Sequence, residues 1–545
     1  MAPIQKLLKT HCSLIFLIPF SFFLIFTGLG DTALQVDEGA DTFISTTILK
    51  YGYPKHFNGT QYTMPEGDAF GGIFLYRTWI PYYIQSASLA ILGQNTFAAR
   101  FPFAFLGVFS IYCLYSFAFR WTQNRTIAFF AALLLATSVP ALLYFRAARY
   151  VSLPILLTPL LMRYYITIFD KEKWNPAPLT ITAIIYFHSM YVEFAGVVLG
   201  MLIHLFIYKN RVLETNLEKV KISAIITGLF CLPWLATIPV LMDKLGDFYS
   251  GASSLVDTTL WRLPKHFFAF LFQINNYIFP FILLPFCIYG FKNSQWFQVS
   301  LLLLTSISVF ASASLHSIPL MQYVSASLPL LFILLSMIVF NLFEKSASGQ
   351  TLALLLLIST NLIHVSPLIP VKKLAQGNAH KITTTNYSRN VYKTFIREVT
   401  IKSVFYRYWQ ELTHLYQGPL DILVKFFETH RKKDETCYID NESESLGLLT
   451  NLKMIHDKDL DFTSQPDWIV LRGNQRNPNL TGKNLEIKKK LEAIFSTNKY
   501  EKVVLNAPVK RINNSYEIQI HKFLSPTTLE RVHIYRRIAY KLDQP

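Results

Sequence analysis

Long apolar runs separated by short polar stretches dominate the first two thirds of the chain. Runs able to cross a hydrocarbon layer of ~30 Å occupy residues 12–29, 101–119, 126–145, 150–169, 177–191, 193–208, 222–241, 266–290, 297–314, 319–342 and 351–369. The pattern predicts a polytopic α-helical membrane protein of about 11 transmembrane helices. A further apolar run, Ile80 to Leu92, makes a helix only about 20 Å long and is read as lying in the membrane interface.

That reading fixes the topology. With the N-terminus in the cytoplasm and Ile80 to Leu92 not spanning, the loops at Arg120 to Arg125, Asp170 to Lys173, Lys209 to Lys221, Lys292 and Glu344 to Lys345 are cytoplasmic. These hold most of the short-loop Lys and Arg, as the positive-inside bias requires. Lys6 and Lys9 precede the first run and no small-residue cleavage site precedes Asp31, so the first helix is expected to be an uncleaved anchor. The loop 31–99, the turns near Arg149, His188 and His316, the loop Asp243 to Lys265 and everything beyond residue 370 are then exoplasmic.

From residue 371 the pattern changes to that of a water-soluble domain. Residues 389–431 read as helical and amphipathic, with Phe405, Tyr408, Trp409 and Tyr416 on the apolar side, as suits a surface helix. Strand-like runs follow at Thr436 to Ile439, Lys453 to Ile455, Trp468 to Leu471, Lys502 to Leu505, Tyr516 to His521 and Val532 to Tyr535, with a helical stretch from Leu485 to Phe495. The expected organisation is a transmembrane domain, 1–370, and a C-terminal exoplasmic α/β domain, 371–545.

Composition agrees: 52% of the residues are hydrophobic and 16% charged, too apolar for an ordinary soluble protein. The net charge of +17 fits cytoplasmic loops, and with no basic run interleaved with stacking aromatics it implies no nucleic acid. Five scattered cysteines suggest neither a disulfide framework nor a zinc site. The C-terminal domain has no phosphate loop and no nucleophile elbow. The triplets at Asn58, Asn441 and Asn479 matter only in a glycosylating compartment.

Candidate chemistry collects on the exoplasmic side. Asp37 and Glu38 follow the first span, in a loop that also holds Asp41, Glu66, Asp68 and Arg77, with Arg100 just behind the interfacial helix. An isolated acid pair is ordinarily a solvated loop feature; beside several arginines it becomes a candidate for proton transfer next to an anion. Arg146 and Arg149 sit at a turn between spans, where arginines also serve as interfacial anchors. His188 and Glu193 lie near another exoplasmic end, and an ionisable residue at such depth is either functional or a satisfied structural hydrogen bond.

Three stretches in order, Val36-Asp37-Glu38-Gly39, Trp79-Ile80-Pro81-Tyr82-Tyr83 and Leu92-Gly93-Gln94-Asn95-Thr96-Phe97-Ala98-Ala99-Arg100-Phe101-Pro102, resemble the start of the polyprenyl-phosphate-dependent type C glycosyltransferases. That group contains protein O-mannosyltransferases and lipid A aminoarabinose transferases. The resemblance covers the first ~210 residues by motif and the later spans by architecture; Pro466 to Val470 and Val532 to Arg537 look like the exoplasmic domain of bacterial members.

The resemblance implies that Asp37 is the catalytic base or activates the acceptor, with Glu38 catalytic or supporting. Arg77, Arg100, Arg149, His188, Glu193, Arg262, His316 and Gln322 are the candidates for binding substrate and phosphate. Two positions depart from the family pattern. Many relatives carry an acid just after the arginine matching Arg149, where Val151 and Ser152 stand here, and Gln322 replaces an arginine that contacts the lipid phosphate. The missing acid argues against a divalent metal, which needs several oxygen ligands.

The implied function is transfer of a sugar, with inversion, from a polyprenyl-phosphate donor to a lipid, glycan or protein hydroxyl. The setting would be a bacterial inner membrane, with membrane lipids as surroundings and no cofactor beyond the donor substrate. A transporter or flippase of a lipid-linked sugar is the alternative; it predicts paired broken helices and charges near the bilayer midplane. A scaffold or receptor would not need the acidic first loop.

Overall fold

The structure, a computed structural model, describes residues 2–59, 61–63, 71–170, 174–239, 259–291, 295–316, 318–364, 403–414, 417–457, 459–460, 465–472, 483–497, 499–508, 514–523 and 529–538. Among these, five helices are long and apolar enough to cross a membrane: Thr96–Thr122, Ser152–Phe169, Tyr191–Arg211, Trp296–Ala313 and Met321–Leu342. Arg125–Thr137 and Val139–Phe145, bent by 65°, make a sixth if they form one span. The bend falls at Ser138, which is extended (φ −70°, ψ 110°), ahead of Pro140, whose missing N–H is tolerated only in a first helical turn.

Against the expected count of about 11, helix length supports five or six spans among the described residues. Leu14–Phe26, Ala177–Phe187 and Ala347–Ser359 are apolar but short, and the run 266–290 divides into Thr259–Tyr277 and Leu284–Tyr289. A multi-pass helical bundle remains. Its helices approach closely where side chains are absent: a Cβ on Gly200 would lie 2.3 Å from Thr305 Cα, and one on Gly196 2.7 Å from Val309 Cα. These glycines, one turn apart, let Tyr191–Tyr208 pack backbone to backbone on Trp296–Ala313.

The loop after the first helix is folded. Val36–Tyr51 forms a helix that begins with a capping box: Gln35 Oε1 accepts from Asp37 N–H at 3.0 Å, and Gln35 N–H donates to Glu38 Oε2 at 2.9 Å. It ends at Gly52, whose φ of 80° is left-handed. Ile80–Leu92 is a separate helix packed on both Val36–Tyr51 and Thr96–Thr122, with the bounds that the apolar pattern indicates. Glu66, Gly67 and Asp68 lie outside the described residues.

Beyond the bundle, the C-terminal region builds one five-stranded sheet of order β2-β1-β3-β5-β4, from β1 (Thr436–Ile439), β2 (Lys453–Met454), β3 (Trp468–Leu471), β4 (Tyr500–Pro508) and β5 (Leu529–Arg537). β1 runs parallel to β2 and β3, while β5 is antiparallel to β3 and β4. Side chains alternate between two cores. Cys437, Ile439, Trp468 and Val470 face Leu420, Leu423, Phe427 and Leu446, whereas Tyr438, Ile469 and Leu471 face Ile487, Leu491 and Ile494. Helices thus cover both faces.

The expected strand at Tyr516 to His521 is not one. These residues form a turn-rich strap that leaves the sheet and packs on the membrane bundle, with Tyr516 and Ile518 in the bundle's core. The apolar and polar residues alternate in sequence, but burial does not follow: Glu517, Gln519 and His521 are buried along with Tyr516 and Ile518, and Ile520 is exposed.

The sheet region also rests on the Val36–Tyr51 helix. A Cβ on Gly39 would come within 1.9 Å of Ser445 Oγ, Thr63 Oγ1 donates to Glu444 Oε1 at 2.8 Å, and Asp421 Oδ1 accepts from Ala33 N–H at 2.5 Å.

Candidate active site

The helix Val36–Tyr51 presents Asp37 and Asp41 one turn apart, on a common face. Asp41 is buried and fully engaged. Its Oδ1 accepts from Arg77 Nη1 at 2.6 Å and Tyr82 hydroxyl at 3.1 Å, and its Oδ2 accepts from Arg149 Nη1 at 2.8 Å. Asp37 is different: its side chain is 43% exposed. Oδ2 accepts a hydrogen bond from the Tyr516 hydroxyl at 2.8 Å, and Arg149 Nη2 stands at 3.7 Å. A half-exposed carboxylate that, among the described residues, receives a single hydrogen bond and lies beside an arginine is equipped to take a proton.

Loss of hydration pushes the Asp37 pKa up, but the charges of Arg149 and Arg77 and the Tyr516 hydrogen bond outweigh it and leave the carboxyl below its usual value. Asp37 is thus ionised at neutral pH. Arg149, 1% exposed along its side chain, holds Asp41 and leaves its Nε without a hydrogen-bond partner among the described residues. Its guanidinium lies 5.2 Å from the Tyr150 ring and 5.4 Å from the Tyr516 ring, and Arg77 sits 5.5 Å from the rings of Tyr76 and Tyr150. Two guanidiniums therefore meet between aromatic walls, with Asp41 between them.

Glu38 points the other way. Its carboxylate takes Arg100 Nε and Nη2, both at 2.8 Å, together with Ala148 N–H at 2.7 Å and Gln35 N–H at 2.9 Å. Burial raises its pKa, and Arg100 with the backbone donors overcomes this to lower it. Arg100 Nη1 also donates to the Leu29 and Thr32 carbonyls, each at 3.0 Å. This bidentate pair has no free acceptor; it ties the first loop to the Thr96–Thr122 helix and the turn at Ala148. Both Glu38 oxygens are thus engaged in holding the loop, whereas Asp37 is half-exposed. Arg146 closes the preceding helix, donating to the carbonyls of Ile25 (2.8 Å) and Thr27 (2.6 Å).

The remaining predicted residues divide. Gln322 reaches the site: its Oε1 is 3.3 Å from the Tyr516 hydroxyl, and its N–H donates to Glu517 Oε1 at 3.3 Å. Glu193, fully buried, accepts from Ser325 Oγ at 3.0 Å and Ala326 N–H at 2.6 Å, in the turn that carries Gln322. His316 stands one layer back, stacked on Tyr323 at 3.7 Å. His188 points to the Phe230 carbonyl at 3.2 Å and joins none of these groups. The Arg262 side chain lies outside the described residues. Among the described residues no three His, Cys, Asp or Glu side chains form a metal-binding group.

Sequence reasoning placed Asp41 in the acidic loop without a role and missed Tyr516. Asp41 was legible from its i, i+4 spacing to Asp37 once a helix is placed there; Tyr516, 479 positions downstream of Asp37, carried no local signal.

The fold resembles that of a solved membrane protein, ArnT. The chain superposes on apo ArnT from Cupriavidus metallidurans with a TM-score of 0.51 at 11% identity, over 97% of this chain and 98% of that one. ArnT bound to undecaprenyl phosphate gives 0.48 at 11% identity over 96% and 98%. The oligosaccharyltransferase AglB from Archaeoglobus fulgidus, in complex with an inhibitory peptide and a dolichol-phosphate, gives 0.48 at 12% identity over 91% and 73%. In sequence, residues 77–236 match the family described as Dolichyl-phosphate-mannose-protein mannosyltransferase, a segment that includes Arg77, Arg100, Arg149 and Glu193. No curated protein matches the chain in sequence. The resemblance read from the first loop thus rests on two further findings, a family match and a shared fold.

Proposed function

We propose that this protein is a membrane glycosyltransferase that moves a sugar from a polyprenyl-phosphate donor to an acceptor hydroxyl on the exoplasmic face. The observation that carries the reading is the half-exposed, ionised Asp37 with Arg149 Nη2 3.7 Å from its carboxylate and Arg77 held beside it by Asp41. Support also comes from the family match over residues 77–236.

In the reaction, the acceptor oxygen attacks the anomeric carbon as Asp37 takes the hydroxyl proton. The bond from that carbon to the phosphate oxygen breaks on the opposite side, so configuration inverts. The polyprenyl phosphate departs as an anion that needs positive charge rather than a proton, and Arg149, with Arg77 behind it, supplies that charge. Asp41 keeps both arginines charged and fixed. A lipid donor also explains why a hydrophilic reaction sits on a helical bundle: the prenyl tail stays in the bilayer while its phosphate reaches the arginines beside Asp37.

The N-terminus is cytoplasmic in this reading, and the bundle, 1–370, and the α/β domain, 371–545, lie in and outside a plasma membrane, such as a bacterial inner membrane. The acceptor is a lipid, glycan or protein hydroxyl. The test is turnover by the purified full chain in liposomes, with a panel of synthetic polyprenyl-phosphate hexoses, N-acetylhexosamines, pentoses and aminopentoses. Release of polyprenyl phosphate supports the reading; passage of donor between leaflets without consumption would replace it with the transporter alternative.

A further inference from the structure

We propose that Tyr516 is a positioning residue of the active site, carried into the membrane domain by the C-terminal strap to hold the Asp37 carboxylate in its working orientation. The inference rests on the reading of Asp37 as base and assigns the C-terminal region a part in catalysis.

The Asp37 backbone is fixed by the capping box, but its side chain is not. Among the described residues, the hydrogen bond from the Tyr516 hydroxyl at 2.8 Å is the one that its carboxylate receives, since Arg149 Nη2 at 3.7 Å is an ion-pair contact beyond hydrogen-bond range. The phenol has one proton. Gln322 Oε1 is the farther acceptor at 3.3 Å, so the proton goes to Asp37. That bond occupies Oδ2 and leaves Oδ1 directed elsewhere, available to an incoming hydroxyl.

The strap is built to deliver this group. Tyr516 is 6% exposed, with its ring over Arg149 and edge-on to Tyr144 at 6.4 Å. The next residue, Glu517, is buried and accepts from Tyr144 hydroxyl at 3.2 Å and Gln322 N–H at 3.3 Å. Ile518 is fully buried in the bundle core, and Gln519 Nε2 donates to Gln273 Oε1 at 2.5 Å. Consecutive residues thus lock onto three different parts of the bundle, an arrangement that a mere covering loop does not need. Glu517 has its pKa raised to about 8, chiefly by burial and against the Gln322 and Tyr144 hydrogen bonds. It is neutral at pH 7 and adds no charge to compete with Asp37.

The charged and titratable groups facing Asp37 are Arg149 from the turn, Arg77 from the first loop, and Tyr516 and Glu517 from the strap, with Asp41 on its own helix. Only Tyr516 both donates to the carboxylate and can lose that donor without loss of shape. The decisive experiment is an infrared titration of the purified full chain, in which the Asp37 signal is the difference between the parent and its Asp37→Asn variant. It is run in wild-type and Tyr516→Phe backgrounds.

Phe keeps the ring over Arg149. Asp37 is expected to titrate at higher pH in the Tyr516→Phe background, because a hydrogen bond to the ionised form is lost, and donor turnover is expected to lose about tenfold in kcat with KM unchanged. An unshifted titration overturns the proposal. Should Tyr516→Phe aggregate, a ring-fluorinated tyrosine at 516, a stronger donor, is expected to shift the titration downward, and no shift again overturns it. If wild-type protein turns over no donor, the glycosyltransferase reading fails while the titration still decides whether Tyr516 holds Asp37.

Discussion

Asp41 Oδ2 and Arg149 Nη1 meet at 2.8 Å with both side chains at or below 4% exposure, and the other Asp41 oxygen holds Arg77. This pairing places two guanidiniums beside Asp37 and keeps them charged. Removing one member of such a buried group leaves uncompensated charge behind. Asp41→Ala is therefore expected to lower stability by about 3–5 kcal/mol, read as a large drop in melting temperature in detergent. An unchanged melting temperature would refute the structural role of Asp41.

Arg149 differs from Arg77 in keeping a buried donor, Nε, that has no hydrogen-bond partner among the described residues. Arg149→Lys retains charge but loses the planar fork, so binding of undecaprenyl phosphate, followed by native mass spectrometry, should weaken by about tenfold or more. If Arg149→Lys binds the lipid phosphate as wild type does, a point charge suffices and the fork has no role.

The contact between the Val36–Tyr51 helix and the sheet region depends on Gly39. A methyl group there would lie 1.9 Å from Ser445 Oγ and 3.1 Å from its Cβ, so Gly39→Ala should cost about 1–3 kcal/mol and displace the helix that carries Asp37. Ser445→Gly removes both atoms and should restore much of the loss in the double variant. Additive effects in that double-mutant cycle would show that the two residues do not meet.

Glu517 makes stability pH-dependent in a known direction. Burial raises its folded pKa to about 8, above the ordinary carboxyl value, so the folded form holds a proton that the unfolded chain releases. Its share of stability is complete below the unfolded pKa near 4.3, declines as pH rises, and is lost by the time pH passes about 8. Glu517→Gln should flatten the fall in melting temperature between pH 5 and pH 9. A Gln variant with the full wild-type slope would mean that Glu517 does not titrate there.

Much of this was legible in the sequence, and unevenly. Ile80–Leu92 could be bounded because Gly93 ends the apolar run, and β1 and β3 because their side chains alternate between two cores. Asp37, Glu38 and Arg100 stood out by motif, but the motif could not divide labour between the two acids. That division depends on the helix at Val36–Tyr51, which turns Glu38 inward to Arg100 and leaves Asp37 at the rim. Spans were harder, since an apolar run does not reveal a 65° bend. Tyr516 was hidden because its partner is brought to it by tertiary structure alone, and Tyr516 to His521 reads as a strand because its apolar and polar residues alternate, whereas in the fold Glu517, Gln519 and His521 are buried and Ile520 is exposed.

The central claim is that Asp37 is the base. Its most direct measurement is donor consumption by Asp37→Asn in liposomes, with the polyprenyl-phosphate sugar that wild-type protein turns over. Asn preserves shape and accepts from Tyr516 but cannot take a proton, so release of polyprenyl phosphate should fall by at least about 10²-fold while binding of the donor and the melting temperature stay near wild type. Wild-type turnover in Asp37→Asn would contradict the account.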